Sequence, residues 1–351
     1  MKGKSLKKHI GNSQFWIGLA VSGLFLFLAL RNMQWGEVWA SIRTARIYLI
    51  VLSSAILYGG WVVAAYRWRV LLTPASGLRT RDAFAYIAIG YMANSVLPMR
   101  LGELARATLL GLTRRLGISR VLGSIALERV LDLLAVIAIA IVLTLAMDIP
   151  PVIQTGVVTL GTGGVGILIF LVLLAFHQER LPRVTAILSK FIPHRLAENV
   201  MALVQNFSAG AGVLRKPVGV FVVCGLSALV WGLYGLSTWL ATRAFHLPVP
   251  WYGALFVLVV INLGCAIPSS PGYIGVYHYL AVLALSPWVP DRNAALAYAI
   301  GTHALSILGN VGMGSLFLAR EGISLKSLKA QATNREEFGS QRTENQDQGN
   351  G

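Results

Sequence analysis

Charge is scarce in this chain, and acid is scarcest. Of 351 residues, 14 are Asp or Glu and 30 are Lys or Arg, and charged residues make up 13% of the whole. Soluble domains carry about 25%, so this composition cannot cover a water-facing globule. Cysteine is nearly absent. Cys224 and Cys265 both lie in apolar runs, which leaves no disulfide framework and no metal-ligand spacing. No Walker-type phosphate loop, Gly-x-Ser-x-Gly elbow or Asp-x-Asp pair occurs. Nothing therefore points to an ATPase, a serine hydrolase or a nucleotide-sugar metal site, and neither a cofactor nor a metal is expected.

What the chain has is apolar sequence. Hydrophobic residues make up 56%, mean hydropathy is +0.66, and apolar runs approach or exceed the roughly 20 residues that cross a bilayer. The fold class expected is an all-α polytopic membrane protein. The net charge of +16 does not indicate nucleic acid. The basic residues gather between the apolar runs, where they set topology and meet anionic lipid.

Residues 1–14 read as a basic cytoplasmic N-terminus with Lys2, Lys4, Lys7 and Lys8. The run 15–30 lacks a small-residue cleavage signal and reads as a first crossing. The run 47–66 is a second, ending at Arg67-Trp68-Arg69, an aromatic and basic interface anchor. The run 83–97 is too short to cross. It stops at Pro98, which has no N–H to donate, and turns near Gly102. Arg79 and Arg81 precede it, and Arg100, Arg106, Arg114, Arg115 and Arg120 follow. A hairpin that enters and returns keeps all of them on the cytoplasmic side, as the positive-inside rule prefers.

Further crossings are expected over 121–147, 155–176, 218–242 and 294–319, with 183–214 lying along the cytoplasmic interface. The run 251–267 again stops short, at Pro268-Ser269-Ser270-Pro271-Gly272. Pro98-x-x-x-Gly102 and Pro268-x-x-x-Gly272 thus interrupt two similar arrangements, one entering from the cytoplasm and one from outside. The expectation is a single membrane domain over 15–319 with about six full spans and two oppositely oriented re-entrant hairpins, an inverted repeat. If the second hairpin crosses, the spans number about eight. Residues 320–351 are polar and read as a mostly disordered cytoplasmic tail. The location is a cell (inner) membrane with both termini cytoplasmic.

Ionisable residues inside a membrane are functional candidates. Arg100, Glu103 and Arg106 fall on one helical face. They read either as a site where two guanidiniums hold a lipid phosphate while Glu103 orients one, or as a salt-bridge cluster that fixes the hairpin. Glu128 and Asp132, with Arg129 between them, read either as a proton or cation relay or as structural partners for hairpin arginines. Asn94, Asn262, Ser269, Ser270, Gly272 and Tyr273 are candidates to bind a head group, and Pro98, Gly102, Pro268 and Pro271 are the breaks. His278 and His303, alone in apolar runs, read as packed histidines.

Three of these segments together, 94–106, Glu128-Arg-Val-Leu-Asp132 and Pro268-Ser-Ser-Pro-Gly272-Tyr-Ile-Gly275, resemble the lysylphosphatidylglycerol synthase transmembrane-domain family, also called the flippase-like domain family. The resemblance covers about residues 15–319. It implies a membrane protein that moves a lipid between leaflets. In the multiple peptide resistance factor a separate cytoplasmic domain makes the aminoacylated lipid, and residues 320–351 are too few for that domain. The function expected is therefore a flippase or transporter for an anionic, glycosylated or isoprenoid lipid. The alternative is a membrane-embedded enzyme or accessory subunit of lipid or polysaccharide synthesis. The partners expected are membrane lipids and a lipid-modifying enzyme.

Overall fold

In lipid a helix satisfies every backbone N–H and C=O within itself, so apolar runs with few breakers fold as helices. The computed structural model describes residues 2–72, 77–97, 101–146, 217–265 and 269–320, with the isolated helical positions Thr155, Thr159, Thr162 and Gly166. All regular structure among them is helical: α1 (Lys2–Leu30), α2 (Trp35–Arg43), α3 (Ile47–Leu72), α4 (Thr80–Val96), α5 (Gly102–Thr113), α6 (Ile118–Ala146), α7 (Pro217–Ala244), α8 (Trp251–Gly264), a 3-10 turn (Pro271–Tyr273), α9 (Val276–Leu285) and α10 (Arg292–Arg320). The expected crossing over 155–176, apart from those isolated positions, lies outside the described residues. So do the interfacial segment 183–214, the tail beyond Arg320, and the breaks at Pro98 and Pro268.

Among the described helices, α3, α7 and α10 are long and apolar enough to cross a bilayer. α1 and α2 make a further candidate pair, bent by 86°. α6 has 29 residues but carries Glu128, Arg129 and Asp132. The stretch 31–46, read from sequence as a plain connection, contains α2.

Prolines set several of the boundaries. Leu97 closes α4 at φ −94°, ψ 144°, because a residue before proline is pushed out of the α region. α7 opens on Pro217, where the missing N–H costs nothing. Asp291 Oδ1 accepts the Asn293 N–H at 2.8 Å and so caps α10.

α3 and α7 run antiparallel. Ser237 Oγ donates to the Ser53 carbonyl at 2.8 Å, and farther along Arg67 Nη1 donates to Ser227 Oγ at 3.0 Å. α4 and α10 also run antiparallel: Asn310 Nδ2 donates to Ser95 Oγ at 3.2 Å, and the Phe84 and Phe317 rings lie 5.6 Å apart. α4 and α5 form a hairpin. Its open end is tied by Asp82 and Arg114 at 3.1 Å and by the Tyr86 and Thr113 hydroxyls at 2.6 Å. α8 and α9 form a second hairpin, with Phe256 5.8 Å from Trp288 toward its open end.

Each half repeats the same neighbours. α3 packs on α4 as α7 does on α8, α5 on α6 as α9 on α10, and α10 on α4 as α6 on α8. The closed ends of the two hairpins meet, since Gly272 lies against the Ser95 carbonyl. α1 buttresses the second break, where Ser22 Oγ accepts the Ser270 N–H at 2.7 Å.

Candidate functional site

Between the halves lies a cavity of about 550 Å³, lined by residues of α3 to α10 and by Gly272 and Tyr273 of the second break. One end is charged. The rest presents aliphatic side chains together with tyrosines, tryptophans, hydroxyls and amides.

The charged end starts from α3. Its buried face includes Gly60, Trp61, Ala64, Ala65, Arg67, Trp68, Leu71 and Leu72, a helical stripe that continues past Tyr66. Arg67 belongs to that stripe and is 1% exposed. It donates to Asp132 Oδ1 at 2.7 Å and lies 3.9 Å from Glu128. The sequence reading of Arg67 and Trp68 as an interface anchor is therefore corrected: both are buried because α3 runs through Leu72. Arg69 keeps an anchor's environment, its guanidinium 5.5 Å from the Tyr66 ring.

On α6, Glu128 and Asp132 share a face one turn apart. Glu128 is buried and accepts from Arg106 and, at 2.9 Å, from Arg129. Arg129 also pairs with Asp132 at 3.3 Å. Arg106 comes from α5 and stacks on Trp68, 3.6 Å from the ring centroid, a cation–π contact. Trp68 is held by its Nε1–H to Ser124 Oγ at 3.0 Å. Three guanidiniums and two carboxylates thus interlock. Desolvating each ion costs several kcal/mol, and only mutual pairing offsets it.

The candidates read from the sequence divide accordingly. Arg106 makes no ion pair with Glu103: it stacks on Trp68, pairs with Glu128 and does not line the cavity. Glu103 does line it and makes no ion pair among the described residues. Arg100 lies outside the described residues, as do Pro98 and Pro268. Arg129, whose side chain is 46% exposed, faces the cavity with Asp132.

Asn94 lines the cavity and accepts the Gly102 N–H at 2.8 Å, closing the first hairpin. Asn262 lines it too, with Nδ2 donating to Leu258 O at 2.8 Å. Gly272 and Tyr273 reach it from the second break, at φ +66° and +59°. Ser269 and Ser270 do not. Ser269 sits against Gly18, and Ser270 bonds Ser22 and the Ile274 carbonyl. Pro271 begins the 3-10 turn.

His303, 5% exposed, donates Nε2–H to the Gly272 carbonyl at 2.8 Å and stacks on Tyr277 at 4.3 Å. It holds the second break in shape. Replacing it by Phe leaves that carbonyl without its donor and is expected to cost about 1–3 kcal/mol. The readout is the midpoint of thermal unfolding in detergent, and an unchanged midpoint would show that the bond carries no weight. Arg67, Ser95 and Asn310 are the site residues missed from sequence. The i, i+3 and i+4 spacing of Arg67 from Ala64 and Leu71 was the available signal. For Ser95 and Asn310 there was none, because their pairing is tertiary.

Comparison with known proteins fits this architecture. Glycosyltransferase AglD of Haloferax volcanii is 27% identical over 84% of this chain, and the chain covers 53% of that protein, about half its length. A UPF0104 membrane protein of Methanocaldococcus jannaschii is 26% identical over 64% of this chain and 91% of its own. No solved structure matches. The model of the lysylphosphatidylglycerol synthase TM region matches residues 15–314, and the chain belongs to that family.

Proposed function

We propose that this chain is a lipid transporter that passes a headgroup between leaflets through the central cavity. The observation that carries this reading is that both hairpins reach one cavity between two halves of matching helix order, with charged groups at one end and amides from both halves in its wall. Equivalent helices α3 and α7 run in opposite directions, which supports reading the halves as an inverted repeat with discontinuous helices at mid-depth, the layout of many secondary transporters. In this reading the α4–α5 and α8–α9 hairpins are re-entrant from opposite faces. One face carries Arg69, Arg79, Arg81, Arg114, Arg115, Arg120 and Arg320, with Asp82 the one acid among these described positions. The other carries Arg31, Arg43, Arg46, Arg243 and Arg292, offset by Glu37 and Asp291. The first is the cytoplasmic face of a cell membrane.

Two experiments test this. Single cysteines at Arg79, Arg115 and Asp291, in a background with Cys224→Ser and Cys265→Ser, are labelled in intact cells by an impermeant reagent. Arg79→Cys and Arg115→Cys are expected to stay protected while Asp291→Cys labels. Opposite accessibility of positions 79 and 115 would overturn re-entrance. Purified protein in liposomes is expected to exchange at least one of three fluorescent lipids (anionic, zwitterionic or glycosylated) between leaflets. Failure with all three would overturn transport.

The similarity to a glycosyltransferase over 84% of the chain favours a second reading, a membrane subunit or enzyme of lipid or polysaccharide synthesis. Consumption of a sugar nucleotide by the purified protein would establish it.

A further inference from the structure

The cavity's lining says which headgroup it suits, an inference that rests on the lipid-transport reading above. Among the described residues, two guanidiniums line the cavity, Arg67 and Arg129, against three carboxylates, Glu103, Glu128 and Asp132. Both guanidiniums already face carboxylates. Arg67 donates to Asp132 at 2.7 Å, and Arg129 bridges Glu128 and Asp132 at 2.9 and 3.3 Å. Arg106, behind the wall, is bonded to Glu128 and stacked on Trp68. A phosphate bonded to Arg129 would sit beside Glu128 and Asp132, the carboxylates that this guanidinium already pairs with. At low dielectric that repulsion is stronger than in water.

The remaining lining is rich in groups that suit a polyol. Tyr91 and Trp61 lie with ring centroids 4.5 Å apart on one wall, and Trp231 with Tyr234 on another. Such rings offer an apolar face and a polar edge. Amides and hydroxyls from both halves alternate with them, Asn94 and Ser95 from α4, Asn262 from α8, Thr302 and Asn310 from α10. Glu103 adds a carboxylate that accepts hydrogen bonds and donates none. A volume of about 550 Å³ falls within the roughly 300–1,000 Å³ of small-molecule pockets and exceeds what a bare phosphate fills.

We propose that the cavity binds an uncharged sugar headgroup on a lipid, with hydroxyls held by Glu103 and the amides of both repeats and a ring face laid on the aromatic walls. The arginines of the charged end hold the helices together and do not touch the ligand.

The test is equilibrium binding by fluorescence anisotropy, with the full chain in phosphatidylcholine nanodiscs. The probes are a fluorescent-tailed monoglucosyl diacylglycerol and phosphatidylglycerol with the same tail. The glucosyl lipid is expected to bind at least about tenfold more tightly, a difference that one or two hydrogen bonds supply. Glu103→Gln and Asn310→Ala should each weaken it by about tenfold while leaving phosphatidylglycerol binding unchanged, and Arg100→Ala should leave glucosyl-lipid binding unchanged. Glu103→Gln keeps the shape of the side chain, so its effect is not one of misfolding. Tighter binding of phosphatidylglycerol that is lost in Arg100→Ala would overturn the sugar assignment and leave lipid transport standing. Failure of both lipids to bind would overturn the sugar assignment, and failure of the zwitterionic lipid to exchange as well would overturn the transport reading itself. Methyl glucoside is expected to compete only far above the lipid's concentration, and competition at equal concentration would overturn the lipid part of the proposal.

Discussion

Replacing Glu128 by Ala is expected to cost about 3–5 kcal/mol, the price of stranding buried charge, and to leave little folded protein. Glu128 is 2% exposed and is the hub on which Arg106, Arg129 and, more distantly, Arg67 converge. Removing it leaves those guanidiniums to Asp132 alone. Arg106 suffers most, since its ion pair is with Glu128 and its face is closed by Trp68. The double replacement Arg106→Met with Glu128→Met removes both members of the buried pair and puts apolar volume in their place. It is expected to recover most of the lost stability, because well-packed apolar residues replace buried ion pairs at little cost. The readout is the fraction of monodisperse protein surviving a temperature series in detergent, for both single variants and the double. Singles as stable as the parent would show that the network does not hold α3, α5 and α6 together.

Gly102→Val is expected to open the first hairpin. A Cβ at position 102 would overlap the Gly90 carbonyl and the Asn94 side chain. Both are fixed, one in the α4 backbone and the other by its bond to the Gly102 N–H, so the strain cannot relax through a flexible chain. Overpacking of this kind costs about 1–3 kcal/mol. Here it also breaks the turn that carries Asn94, Ser95 and Glu103 to the cavity, so leaflet exchange should fall more steeply than stability. Gly59→Ala is the control. A Cβ there meets nothing within 4 Å, and both stability and exchange should match the parent. Full exchange in Gly102→Val would show that the close approach of α4 and α5 is not needed.

Much of this architecture was readable in the sequence because lipid imposes it. Apolar runs mark the helices, and the prolines at 98, 217, 250 and 271 mark where helices stop or start. The short runs before the two Pro-x-x-x-Gly breaks do correspond to α4 and α8, each paired with a short returning helix. The partners of the charges were less accessible. Helical spacing shows that Glu128 and Asp132 share a face, but it does not say which helix faces them. The opposing charge is Arg67, from a helix some 60 residues earlier, where the order Tyr-Arg-Trp-Arg imitates a membrane-surface anchor. The sequence reading offers Glu128 and Asp132 as structural partners for hairpin arginines, and the one Glu128 holds is Arg106. Ser269 and Ser270 had the right chemistry for a cavity, but α1 takes them up at Gly18 and Ser22. α2 was hidden because nine residues with two tryptophans and an acid do not stand out between two long apolar runs.

Alternating access requires the two halves to move against each other, and Ser95 with Asn310 marks one place where they touch, at 3.2 Å. The most direct measurement is leaflet exchange in liposomes by the Ser95→Cys, Asn310→Cys variant on a background without Cys224 and Cys265. Oxidation should join the halves and stop exchange, and reduction should restore it to the rate of the same variant before oxidation. Undiminished exchange by protein shown to be fully cross-linked would contradict movement between the halves as the route across the membrane.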